Sequence, residues 1–247
     1  DVGPFLTASI ATPGKPTLKG IAIRVGDRQQ AAVCFDTARL RISAAWTGDF
    51  LRFGPRRFGL IDRPAVAGEL VFQTPPRAGW ARGEQFAPEP GEITNLAVET
   101  GYTKPGTSVV HLPKDWAAYR GLYTSGERIV LAYSVGKTDL LESPWYVQAG
   151  KEQAFIRSLE IGPSEQTLRM AVAGQASQVT ARGSTSATVT KEADGFPLLV
   201  VAPHEKTIRV KLLVTGEKVS GEAIQSLYKA SGPIENLGQM TKVDRPR

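Results

Sequence analysis

Along most of the chain, apolar and polar positions alternate one by one. In residues 20–26, GIAIRVG, the side chains of Ile21, Ile23 and Val25 fall on one face and Ala22 and Arg24 on the other. In ERIVLAYSVG, residues 127–136, Ile129, Leu131, Tyr133 and Val135 share one face and Val130, Ala132 and Ser134 share the opposite one. TIRVKLLV sets Ile208, Val210 and Leu212 against Arg209 and Lys211, a strand with one wetted face. AAVCFD, TDLLESPW, QAFIRSLEIG, TLRMAVAG and PLLVVA read as further strands, set apart by Gly, Pro, Ser and Asp. No strand–helix–strand rhythm appears. The pattern predicts an all-β chain, a mainly antiparallel β-sandwich.

A helical period appears once, near the end. Ser220 can cap it, Glu222 suits its first turn, and Ile224, Leu227 and Tyr228 lie on one face before Gly232-Pro233 stops it. The remainder, IENLGQMTKVDRPR, has no pattern and reads as a linker tail. The Ser/Thr-rich stretch 177–191 fits either a loop or an exposed hairpin around Gly183. Between Gly54 and Pro113 stand seven further prolines, which exclude most of that stretch from central strands. The expected organisation is a sandwich over 1–215 with an irregular Pro/Gly-rich insertion at about 54–113. A helix and linker tail follow over 216–247.

Composition changes this picture little. A chain of 247 residues, 41% hydrophobic, can bury a core without disulfides or metals. The net charge of +6 is spread along the chain with no nucleic-acid motif, so no nucleic-acid partner is expected. No apolar run approaches the ~20 residues of a membrane span. The single cysteine, Cys34, reads as a buried strand residue and excludes an internal disulfide, a zinc cluster and a C-x-x-C-H haem site. Gly136-Lys137-Thr138 imitates a phosphate loop, but that motif needs glycine where Leu131 stands. It reads as a hairpin turn. His111 and His204 sit beside prolines in loops with no partner in spacing, and no metal site is expected.

Two kinds of residue remain for recognition or chemistry. Trp46, Trp80, Trp116 and Trp145 lie near predicted turns, where an indole face can stack on a sugar ring. Asp36, Asp49, Asp62, Asp115 and Glu142 are candidate acids for sugar chemistry, which needs two carboxylates across one bond. The ligand-binding set expected from sequence is Trp80, Trp116, Arg52, Arg56, Asp62 and Asp115, with no catalytic residue assigned. The same set could line the cleft of a carbohydrate-active enzyme. A purely structural interaction domain would need no polar cleft.

AAVCFDTARLRISAAWTGDFL (31–51) and DWAAYRGLYTSGERIVLAYSVGKTDLLESPW (115–145), together with Gly3-Pro4, resemble a bacterial domain of unknown function. It occurs in large secreted proteins of the PVC superphylum, ahead of a propeller similar to soluble sugar dehydrogenases and a c-type cytochrome domain. The resemblance runs from Gly3 to about Leu213. It implies a periplasmic or extracellular accessory module of a redox protein. Its partners would be the neighbouring propeller and c-type cytochrome domains, and possibly carbohydrate. It implies no cofactor in this segment, since oxidation and electron transfer would belong to the neighbours.

Overall fold

The computed structural model describes residues 2–55, 62–86, 112–242 and, for backbone only, the short strands at 93–95 and 108–110. Two antiparallel sheets face each other. The first holds β1 (Phe5–Ile10), β2 (Thr17–Val25), β3 (Ala31–Asp36), β4 (Arg41–Thr47) and, after the two-stranded ribbon of β5 (Leu51–Arg52) and β6 (Ala65–Val66), β7 (Glu69–Gln73). β8 (Ile93–Asn95) and β9 (Ser108–Val110) pair only with each other. The second sheet begins as a meander of β10 (Ala117–Ser125), β11 (Arg128–Val135), β12 (Thr138–Ala149) and β13 (Glu152–Ile161). β14 (Leu168–Ala171), β16 (Ala187–Lys191) and β17 (Pro197–Val201) form a third, smaller sheet. β15 (Gln178–Gly183) and β18 (Ile208–Thr215) complete the second. The all-β antiparallel sandwich expected from the alternation is therefore the fold.

The meander follows from its turns. Each of its three hairpins is closed by two residues, of which the first is Gly126, Gly136 or Gly150, at φ of +57°, +58° and +64°. Only glycine enters that region freely, and a glycine at the first central position suits the twist of a two-residue hairpin. Pro144 is tolerated in β12 because the β11–β12 ladder stops at Glu142, leaving β13 as the one neighbour there.

Between the two large sheets, aromatic rings interlock. Phe35 stacks on Tyr133 with centroids 5.8 Å apart, and Phe72 meets Phe155 edge-on at 5.7 Å. The inner face of the second sheet also carries a charge pair. Arg157 Nε donates to Glu142 Oε1 at 2.6 Å, and both residues are fully buried. Tyr133 Oη donates to Glu142 Oε2 at 2.7 Å, and Arg157 Nη1 donates to the Val172 carbonyl at 3.1 Å. Burial, then the charge of Glu142, holds the Tyr133 phenol well above its ordinary range, so it stays a donor.

Both outer faces are covered too. On the first sheet Trp46, Cys34, Ala44 and Phe50 form a second apolar cluster, with the Trp46 indole nitrogen donating to the carbonyls of Asp49 and Phe50. On the second, the helix Gly221–Ala230, capped by Ser220 as its sequence predicts, lays Ile224, Leu227 and Tyr228 onto the sheet. The segment after it, patternless in sequence, is held down by charge. Buried Lys211 donates to the carbonyls of Ser231, Gly232 and Pro233 at 2.8, 3.1 and 2.5 Å. Glu235 accepts from Ser158 and Arg128, and a short helix, Leu237–Met240, buries Leu237. Desolvation lowers the pKa of Lys211, and Glu235 partly restores it. The stretch through residue 242 is thus packed structure, with 243–247 outside the described residues. The hairpin expected around Gly183 does not form: β15 pairs with β18 and β16 with β17, so the chain changes sheets between them.

The buried pair predicts a specific pattern of stability. Glu142→Leu or Arg157→Met leaves a buried charge without its counter-charge, and each is expected to cost roughly 3–5 kcal/mol. The double variant Glu142→Leu/Arg157→Met is expected to cost much less than the sum, as read from urea denaturation midpoints.

Candidate functional site

Antiparallel strands alternate direction, so the turns after β11, β13 and β17 emerge at the same end of the sandwich. There they enclose a groove of about 850 Å³. One wall is the Val135–Thr138 turn, a second is Pro163–Gln166, and a third is Pro203–Glu205. Arg82, Asp115 and Trp116 close the side. Trp116 ends a turn whose Pro113 carbonyl accepts from the amides of Trp116 and Ala117. Its six-membered ring lies over Gly136, where an added Cβ would come within 3.1 Å of the ring. The half-buried indole hides its nitrogen from solvent, with no acceptor among the described residues, so it offers the groove carbon.

Several polar groups in the walls are spent on holding the loops. Thr138 Oγ1 donates to the Pro163 carbonyl at 3.0 Å, and Ser164 Oγ to the Gln166 carbonyl at 2.8 Å. Ser164 and His204 exchange backbone hydrogen bonds that tie the two loops together. Each His204 ring nitrogen lies 2.9 Å from a carbonyl oxygen, of Ala202 and of Gly162. The ring is a brace. Lys137, Glu165, Gln166 and Glu205, by contrast, are exposed. Arg82 lies 3.4 Å from Asp115 in a pair exposed on both sides, of small energetic weight.

The residues expected from sequence divide into separate places. Trp116 and Asp115 line the groove. Trp80 does not: it is 1% exposed and packs at a tilt against Tyr133 in the core, ring centroids 6.3 Å apart, while its backbone bridges to Met170. Arg52 and Asp62 are exposed near the β5–β6 ribbon, with Asp62 against Gly54, and neither lines the groove. Arg56 lies outside the described residues, as does His111. Of the other candidate acids, Glu142 is the buried partner of Arg157. Asp36 caps the β3–β4 turn, accepting from the Ala38 and Arg39 amides beside buried Arg41. Trp145 lies beneath the Arg128 guanidinium, 3.8 Å from its ring centre. Lys137, Glu165, Gln166 and Glu205 were missed. The parity of the strands was the signal that would have gathered their turns at one end.

Among the described residues, no group of three or more His, Cys, Asp and Glu is placed to share a metal ion, and no helix is long and apolar enough to cross a membrane. Residues 33–142 match the model of a domain of unknown function, DUF6797. That stretch contains the two sequence segments that carry the resemblance through Glu142. No curated protein and no solved structure gives a match.

The matched stretch stops at Glu142, one partner of the buried pair, while Arg157 lies beyond it. It also lacks β13, β15 and β18, three of the six strands of the second sheet. A chain cut to 33–142 is therefore expected to show no cooperative urea transition, whereas 2–242 is expected to show one. Cys34 gives a second expectation. Burial pushes its thiol from 9.0 up to about 12, with Asp36 adding to the rise. A raised folded-state pKa contributes stability that is whole below pH 9 and lost as pH climbs through about 12. At pH 8.5 a thiol reagent is expected to label Cys34 only in denaturant.

Proposed function

We propose that the chain is a non-catalytic recognition module that binds carbohydrate in the end groove. The observation that carries this reading is Trp116, seated on Gly136 so that its carbon face lines a groove rimmed by exposed polar side chains. A rigid indole beside carboxylate and amide groups is the combination that holds a sugar ring, by stacking and by hydroxyl hydrogen bonds. The groove's Ser164, Thr138 and His204 are committed to bracing loops, which favours recognition over acid–base chemistry at this end.

The setting follows from the resemblance: an accessory module of a secreted, periplasmic or extracellular redox protein, beside a sugar-dehydrogenase-like propeller and a c-type cytochrome domain. Carbohydrate capture would then bring substrate close to an oxidising neighbour. Docking of that neighbour is the second role the resemblance suggests.

The test is titration of the chain with glycans found positive on an array. Trp116→Ala is expected to weaken binding at least about tenfold, since a stacked aromatic contributes on the order of 1–2 kcal/mol or more at a binding site. The melting temperature should move little by comparison with Trp80→Ala, which empties a core position. Unchanged affinity in Trp116→Ala would remove the groove from the reading.

A further inference from the structure

The groove's charges differ in kind from those of the whole molecule. The chain carries +6 overall, yet among the described residues three carboxylates (Asp115, Glu165 and Glu205) and two cations (Arg82 and Lys137) line this end. Arg82 already faces Asp115 at 3.4 Å. What remains is Lys137, which forms no ion pair with a described residue, against Glu165 and Glu205 on the two tied loops. From this balance we infer that the groove accepts uncharged, hydroxyl-rich glycans and rejects sulfated or uronate-bearing ones. The inference rests on the carbohydrate reading above.

The physical reason is one of sign and of hydrogen-bond direction. Glu165 and Glu205 are acceptors only, and a sugar hydroxyl supplies the donors they need. A sulfate or carboxylate on the ligand has no proton to give and brings a further negative charge beside the exposed glutamates. The repulsion acts within about a Debye length and weakens as salt rises. Rejection of a near-isosteric ligand by like charge is how such sites gain discrimination. Lys137 can answer one acidic group at the tip of its turn, but it cannot offset both glutamates. The carbon face of Trp116 is indifferent to substituent charge, so the rim decides.

The experiment compares neutral, sulfated, uronate-bearing and free-amine oligosaccharides of similar length, by calorimetry at low and high salt. Neutral chains are expected to bind with an affinity that salt leaves unchanged, and the acidic chains at least about tenfold more weakly. Glu165→Gln/Glu205→Gln, checked for an unaltered melt, is expected to bring the ratio of neutral to acidic affinity close to one; the ratio is the readout because both carboxylates also accept from neutral sugar hydroxyls. A preference for sulfated or uronate chains, with affinity falling as salt rises, would overturn the inference and leave the carbohydrate reading intact; tighter binding of free-amine chains would support it, because the same glutamates attract an ammonium. Binding to none of the four classes would overturn the carbohydrate reading itself, and this inference with it.

Discussion

A carboxylate and a guanidinium closed off from water between two sheets impose one register on the strands that carry them. Glu142 stands opposite Leu159, and Arg157 opposite Pro144, so the two charges meet across β12 and β13. A slip of one residue would turn Glu142 to the outer face and leave Arg157 alone inside. Apolar residues tolerate small errors of register. A buried charge does not, because its desolvation is repaid only at one geometry. Tyr133 and the Val172 carbonyl complete that geometry, reaching in from β11 and from the segment that leads out of β14. Trp80, packed at a tilt against Tyr133, draws the Pro-rich segment into the same assembly.

The second sheet repeats the device on its other side. Lys211 is as buried as Arg157, but three backbone carbonyls and Glu235 hold it. The inner pair aligns strands with each other, and the outer one fastens a segment across them. With the helix Gly221–Ala230 beside it, that segment occupies the outer face. The Trp46 cluster does the same for the first sheet. The groove lies at an end of the sandwich, where turns meet.

Much of the fold was legible in the alternation, because a sheet with one buried face writes its period into the sequence. The helix was legible from Ser220 and the spacing of Ile224, Leu227 and Tyr228. Three features were hidden for physical reasons. Glu142 and Lys211 look like solvated charges until a partner distant in sequence is known. The segment Glu235–Met240 is fixed by ion pairs and one buried leucine, which leave no periodicity. Trp80 sits in a Pro-rich stretch that suggests a surface loop, yet its backbone pairs with β14 and its ring enters the core. Of the site, Trp116 and Asp115 were visible as residue types. Their neighbours Lys137, Glu165 and Glu205 come from three turns up to 68 positions from Lys137 in the chain, and only the folded topology assembles them.

The groove also has a divided origin. Its aromatic floor and the Gly136 turn beneath it fall within residues 33–142, while the loops bearing Glu165 and Glu205 fall outside them. The floor is tied to the core, since Ala117 pairs with Val135 directly beside it. The rim loops hang from strand ends and are braced mainly to each other. A substitution at exposed Glu165, Gln166 or Glu205 can therefore change the charge of the rim without disturbing the platform. One scaffold of this kind can carry a series of different rims through changes in two short loops.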